Sequence, residues 1–200
     1  MELVVTHIYA DFDALASQIA INKLFPDVVR ARIGRVSPPV RDFLALHKDH
    51  FELTPTQEIN LDAVSRVFLV DVRRADRLTA IEPLLGRIKE QDPSLDVIIY
   101  DHHEASPDDL RGNVEVVEPL GATTTLLVEE LQRRRIFINP LDATVFALGS
   151  TAIPARLHTG SGKRKSHRHH HAERCNARTL SDKDGQRQPR ETNIRIIRRP

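Results

Sequence analysis

The chain has one cysteine, no tryptophan, one methionine and only nine aromatic side chains in 200 residues. A single Cys175 excludes a disulfide framework, which makes a reducing cytoplasm the expected compartment. No stretch approaches the roughly 18 consecutive apolar residues that a membrane helix needs. The first residues, Met1-Glu2-Leu3-Val4-Val5-Thr6, lack a basic segment ahead of the apolar ones, so neither membrane insertion nor export is expected. The length suffices for a core that needs no staples.

Charge is present in abundance but unevenly placed. The net charge of +1 conceals 16 Lys and Arg against 24 Asp and Glu up to Ser150, then 13 against 4 from Thr151 onward. No aromatic residue follows Phe146, and Gly162 to His171 is a basic, His-rich run with little to bury. The sequence therefore divides into a domain over 1–149 and a basic, poorly structured tail over 150–200.

Within the first part, short β-branched runs alternate with helical periodicity. Leu3 to His7 reads as a strand, Ala14 to Leu24 as a helix, Val28 to Ile33 as a strand and Pro38 to His47 as a helix. Arg66 to Asp71 and Asp96 to Asp101 are continuous apolar strands that each end in aspartate, separated by a helical pattern over Ala75 to Glu90. Val114 to Val117 is a candidate edge strand; Thr123 to Arg135 and Leu141 to Leu148 are the last helices. Such alternation predicts an α/β fold, a mostly parallel sheet with helices on both faces. Function in such sheets gathers at the carboxyl ends of the strands. His7, Asp71 and Asp101-His102-His103 all fall there.

The polar groups at these ends are costly to bury unless paired, hydrogen-bonded or bound to a cation. His7, Asp11 and Asp13 span a strand-to-helix turn that can fold several ligands around one centre. Singly they have plainer uses, Asp13 as a helix cap, His7 as a hydrogen-bonded histidine and Asp71 as a turn residue. Mixed imidazole and carboxylate donors suit Mn²⁺, Fe²⁺, Co²⁺ or Zn²⁺ better than Mg²⁺. A carboxylate shared by two cations would give a two-metal site suited to phosphoester or phosphoanhydride hydrolysis.

Four segments in order carry a resemblance: Thr6-His7-Ile8-Tyr9-Ala10-Asp11-Phe12-Asp13-Ala14-Leu15-Ala16-Ser17, Leu69-Val70-Asp71, Asp101-His102-His103, and Gly121-Ala122-Thr123-Thr124-Thr125-Leu126. Together they resemble the DHH phosphoesterase superfamily of metal-dependent hydrolases. The resemblance implies two divalent ions, Mn²⁺ first with Mg²⁺ or Co²⁺ as alternatives. His7 and Asp11 would hold one, Asp13 and His102 the other, and Asp71 would bridge them. It also implies that His103 faces the phosphate or leaving group and that Asp101 orients His102 or His103. Thr123 or Thr124 would cap a helix whose N-terminus receives an anion. The substrate class implied is a nucleotide or short oligonucleotide. More narrowly, His7 to Pro26 and Val40 to Leu46 resemble the amino-terminal part of bacterial proteins that join this domain to CBS domains and a tRNA nucleotidyltransferase or poly(A) polymerase module. This sets a non-catalytic RNA-binding or interaction module beside the hydrolase as the second reading, with the basic tail as its RNA contact.

The resemblance stops at Gly149. The family pattern continues into an Asp-Thr-Gly motif whose aspartate completes the metal site, and then into a substrate-binding domain. This chain continues Ser150-Thr151-Ala152-Ile153-Pro154. Regrouping permissible codons for Ser150 to Leu157 by one base restores Asp-Thr-Gly, so a frameshift near Gly149 is the preferred explanation of the tail. A His-rich metal-binding tract and an RNA-binding tail are the alternatives. Weak or absent hydrolysis is expected of a chain lacking that ligand.

Overall fold

The computed structural model describes residues 1–32 and 34–151 and the backbone of 197–198. Strands β1 (Glu2–Val5), β2 (Val29–Arg32), β3 (Thr54–Pro55), β4 (Arg66–Val70), β5 (Asp96–Asp101) and β6 (Val114–Val117) form a parallel sheet. A two-residue strand, β7 (Ile197–Arg198), lies antiparallel to β6, and the strand order is β3-β2-β1-β4-β5-β6-β7. The helices are α1 (Phe12–Leu24), α2 (Pro38–Leu46), α3 (Glu82–Lys89), α4 (Thr123–Arg133) and α5 (Pro140–Ser150). Apart from Ser150, Thr151 and β7, the expected tail lies outside the described residues. No helix among the described residues is long and apolar enough to cross a membrane.

Side chains alternate across each strand and so build two cores. Leu3, Val5, Val67, Leu69, Val97 and Ile99 pack on one face with Leu78, Ile81, Leu84 and Ile88. Val4, Phe68 and Val70 pack on the other with Leu15 and Ile19 of α1, Leu127 and Leu131 of α4, and Val145 and Phe146 of α5. Burying each of these large side chains contributes about 1.5–3 kcal/mol. Helix α1 touches β1, β2 and β4 as well as α4 and α5, and ten of its 13 residues are buried. Its buried Gln18 is satisfied by donating to the carbonyls of Val4 and Ala31.

The order of strands fixes where a ligand can sit. The chain runs from β1 outward to β2 and β3, then returns to place β4, β5 and β6 on the other side of β1. The direction of winding reverses between β1 and β4, and the crevice outside their carboxyl ends is the usual ligand position in such sheets. His7 follows β1, Asp71 follows β4 and Asp101 ends β5, three adjacent strands.

Two expected elements differ. The helix expected over Ala75 to Glu90 is two 3₁₀ turns, Ala75–Arg77 and Thr79–Ile81, followed by α3. Pro83 has no N–H and its ring clashes with the preceding turn in a helix interior, so it sits at the start of α3 instead. Strand β1 ends at Val5 rather than His7, because the Ile8 N–H leaves the ladder to bond the Arg77 carbonyl and Tyr9 turns into a left-handed conformation.

Gly149 marks a close contact of α5 with α1 and α4. A Cβ there would lie 2.6 Å from Thr124 Oγ1, 2.7 Å from Ala16 Cβ and 2.9 Å from the Phe12 carbonyl oxygen. Gly149→Ala is expected to destabilise the fold by about 1–3 kcal/mol despite the better helix propensity of alanine. Urea unfolding of the two proteins checks this, and an unchanged midpoint would show that α1, α4 and α5 pack less closely.

Candidate metal centre

Each imidazole at the site has one nitrogen committed by its neighbours. His7 Nδ1 lies 2.8 Å from the Ile8 carbonyl oxygen, and His102 Nδ1 lies 3.0 Å from that of Leu120. A carbonyl oxygen only accepts, so both Nδ1 atoms carry hydrogen and both Nε2 atoms are left to face the site. His7 Nε2 is 3.3 Å from Asp71 Oδ2, and His102 Nε2 is 3.4 Å from Asp71 Oδ1. A neutral Nε2 lone pair opposite a carboxylate oxygen is acceptor against acceptor. The arrangement needs a proton or a cation between each pair, and the donor set suits a divalent ion.

Asp71 is the residue both sides share. It is 4% exposed, and its backbone is left-handed, with φ of 57°. Such backbone is uncommon outside glycine, though aspartate tolerates it better than most. Burial alone would raise its pKa, but hydrogen bonds with His102 and His7 outweigh burial and hold it at about 2. The hydrogen bond with Asp71 raises His102 to about 9. Two ligand groups, His7–Asp11–Asp71 and Asp71–His102–His103, each bring their donor atoms within 4.8 Å of one another.

The turn after β1 assigns different tasks to its two aspartates. Asp11, not Asp13 as the plainer reading had it, is the N-cap of α1: its Oδ1 accepts from the N–H groups of Asp13 and Ala14 at 3.0 and 3.1 Å. Asp13 instead reaches across to α4. Its carboxylate accepts from the Thr123 N–H at 2.9 Å, the Thr124 N–H at 2.7 Å and the Thr124 hydroxyl at 2.6 Å. Burial and the charge of Asp71 push it up to about 6, against those three donors.

The expected capping by Thr123 or Thr124 is corrected accordingly. The N-cap of α4 is Ala122, with no side-chain cap of its own, and the anion at this helix N-terminus is the Asp13 carboxylate. Thr123 and Thr124 are fully buried; the Thr123 hydroxyl donates to Asp71 Oδ1 at 3.3 Å. Asp13 Oδ2 remains 3.6 Å from His102 Nε2.

Asp101 settles on one of its two possible partners, His103, whose Nδ1 is 2.7 Å from Asp101 Oδ1. This raises the His103 pKa. The other Asp101 oxygen takes Arg73 Nε at 2.7 Å, and the same guanidinium reaches the His103 carbonyl and, at 3.2 Å, Asp109. Arg73 is a buried cation that sequence reading missed, since an arginine two residues past a strand looks like any solvated turn residue. Arg77 was missed as well; its Nη2 stands 3.3 Å from His7 Nδ1.

The raised pKa of His102 has a defined sign. Without metal, the His102⁺–Asp71⁻ pair stabilises the fold fully below the unfolded histidine value of about 6.5 and is lost as pH rises through about 9. In EDTA, stability is expected to fall between those limits, and His102→Gln is expected to flatten that fall. Denaturant midpoints across the range check it.

A family model described as "DHH family, N-terminal domain" matches residues 2–152. The A-adding tRNA nucleotidyltransferase of Geobacter sulfurreducens is 31% identical over 150 residues, which are 74% of this chain and 16% of that protein. The A-adding tRNA nucleotidyltransferase of Aquifex aeolicus is 31% identical over 140 residues, 70% of this chain and 15% of that protein. A Methanococcus jannaschii protein assigned as a family II inorganic pyrophosphatase superposes with a TM-score of 0.52 at 23% identity, over 74% of this chain and 47% of that one, a likeness of fold. With the motifs of the metal centre inside a match that spans most of its length, the chain belongs to the DHH family.

Proposed function

We propose that this chain is the metal-holding half of a phosphoesterase, built to hydrolyse phosphodiesters of nucleotides or short oligonucleotides. The observation that carries the reading is the position of Asp71, whose Oδ2 faces His7, whose Oδ1 faces His102 and, at 3.8 Å, His103, and which belongs to both ligand groups. His7 and Asp11 would hold one ion, His102 with Asp13 the other, and Asp71 both; Mn²⁺ matches the donor set best. Two divalent ions here would acidify a water and offset the charge of a phosphate ester. His103 is half-exposed and donates its Nδ1 hydrogen to Asp101, which leaves Nε2 to carry a proton toward the leaving oxygen. Arg73 balances the buried charge of Asp101 and so holds that imidazole in place.

The reading includes an incomplete cluster. Gly149 packs on Thr124, whose hydroxyl is bonded to Asp13, so the chain leaves α5 beside that corner of the site. Ser150-Thr151-Ala152 supplies no carboxylate there. Turnover is therefore weak, and a shifted reading frame past Gly149 accounts for the missing aspartate; sequencing the gene across that codon tests the frame.

The activity test is Mn²⁺-dependent hydrolysis of short oligonucleotides and a model phosphodiester. Slow turnover is expected, lost at least tenfold in Asp71→Ala. Robust turnover that disappears in His102→Ala would show the site to be complete as it stands. Turnover indifferent to Asp71→Ala would overturn the hydrolase reading.

A second reading has its own observation. Two A-adding tRNA nucleotidyltransferases share 31% identity with a chain that spans about a sixth of their length. A module serving such a protein would bind tRNA without metal. Salt-dependent tRNA binding in EDTA, abolished by deleting residues 151–200, would favour it.

A further inference from the structure

Between the ligands His7 and Asp11 the chain exposes an aromatic ring. Tyr9 is 61% exposed and has φ of 64°, a left-handed conformation that a bulky residue rarely adopts. The turn is pinned on both sides: the Ile8 N–H donates to the Arg77 carbonyl, and the Ala10 carbonyl accepts from the Ser37 N–H while Ala10 pairs with Val36. Burial does not explain why this position is not glycine.

The second observation is a guanidinium held against this turn by another segment, the 3₁₀ turn Ala75–Arg77 that follows β4. Arg77 Nη2 is 3.3 Å from His7 Nδ1, but that nitrogen already donates its hydrogen to the Ile8 carbonyl. Two donors face each other, so the contact is not a hydrogen bond. The adjacent Asp76 is taken by Arg74, and no carboxylate oxygen of the described residues lies within 4.0 Å of Arg77. A cation is thus held against His7 with, among the described residues, no side-chain hydrogen bond of its own.

We propose that Tyr9 and Arg77 form a substrate-binding pair, Tyr9 stacking on an unpaired base and Arg77 contacting a phosphate oxygen of the same nucleotide. Every base has a π-face for an exposed ring, and a guanidinium matches phosphate bidentately. The pair deepens the phosphoesterase reading, on which it rests, by making the turn after β1 the element that distinguishes a nucleotide from inorganic phosphate or pyrophosphate.

Calorimetric titration of the full chain with 5′-AMP and with inorganic phosphate, each in EDTA and in Mn²⁺, tests it. Tyr9→Gly is the informative variant, because glycine accepts φ of 64° and its melting temperature should hold or rise. Tyr9→Gly and Tyr9→Ala are expected to weaken AMP about tenfold and leave phosphate within about twofold, whereas Tyr9→Phe keeps AMP affinity. Arg77→Met is expected to weaken both ligands about tenfold, with Arg77→Lys between it and the unaltered protein. Unchanged AMP affinity in Tyr9→Gly, or no AMP binding by the unaltered chain in either condition, overturns the proposal. Absence of Mn²⁺ binding with the Tyr9 effect intact in EDTA would instead remove the metal-centre reading and leave the pair standing.

Discussion

The structure turns on one buried carboxylate opposed on both oxygens. Asp71 is buried, and the nitrogens facing it belong to imidazoles whose other hydrogens are already donated to Ile8 and Leu120. The Nδ1 bonds to those two carbonyls fix which nitrogen of each ring faces Asp71. Protonation of the histidines relieves the opposition in one way, which is why His102 is raised to about 9, and divalent cations would relieve it in another. A site that holds either protons or metal in the same positions must exchange one for the other, so metal uptake and proton release are linked.

The remaining architecture keeps that opposition in register. Adjacent placement of β1, β4 and β5 brings His7, Asp71 and Asp101 to one crevice although they are far apart in sequence. Helix α1 is buried on nearly all sides, and its first turn is locked to α4 through Asp13, whose carboxylate serves as the missing cap of that helix. Thr123 then ties the same helix start to Asp71. Gly149 lets α5 approach this junction closely enough to hold it. Loss of any one of these contacts would be transmitted to the spacing between Asp13 and Asp71.

Much of this was legible in the sequence because the signals were local. Apolar runs such as Arg66 to Val70 and Asp96 to Asp101 announce parallel strands, and the acids and imidazoles at their ends mark candidate ligands. The topology of the sheet then brings those ends together. What escaped depended on partners distant in sequence. The capping of α4 by Asp13 joins residues 110 apart, and no local pattern distinguishes Asp13 from an ordinary N-cap of its own helix. Arg73 and Arg77 follow a strand as plain turn residues, and only the positions of Asp101 and His7 reveal what each does. Apolar spacing from Leu78 to Ile88 suggests one helix from Ala75, but Pro83 belongs at a helix start, and α3 begins only at Glu82.

The most direct measurement of the central claim is the electron paramagnetic resonance spectrum of the chain titrated with Mn²⁺. A carboxylate shared between two ions brings them about 3.5–4 Å apart. Two ions per chain are expected, with an exchange-coupled spectrum that replaces the six-line signal of isolated Mn²⁺ as the second ion binds. Saturation at one ion per chain, with the six-line signal persisting, would contradict it.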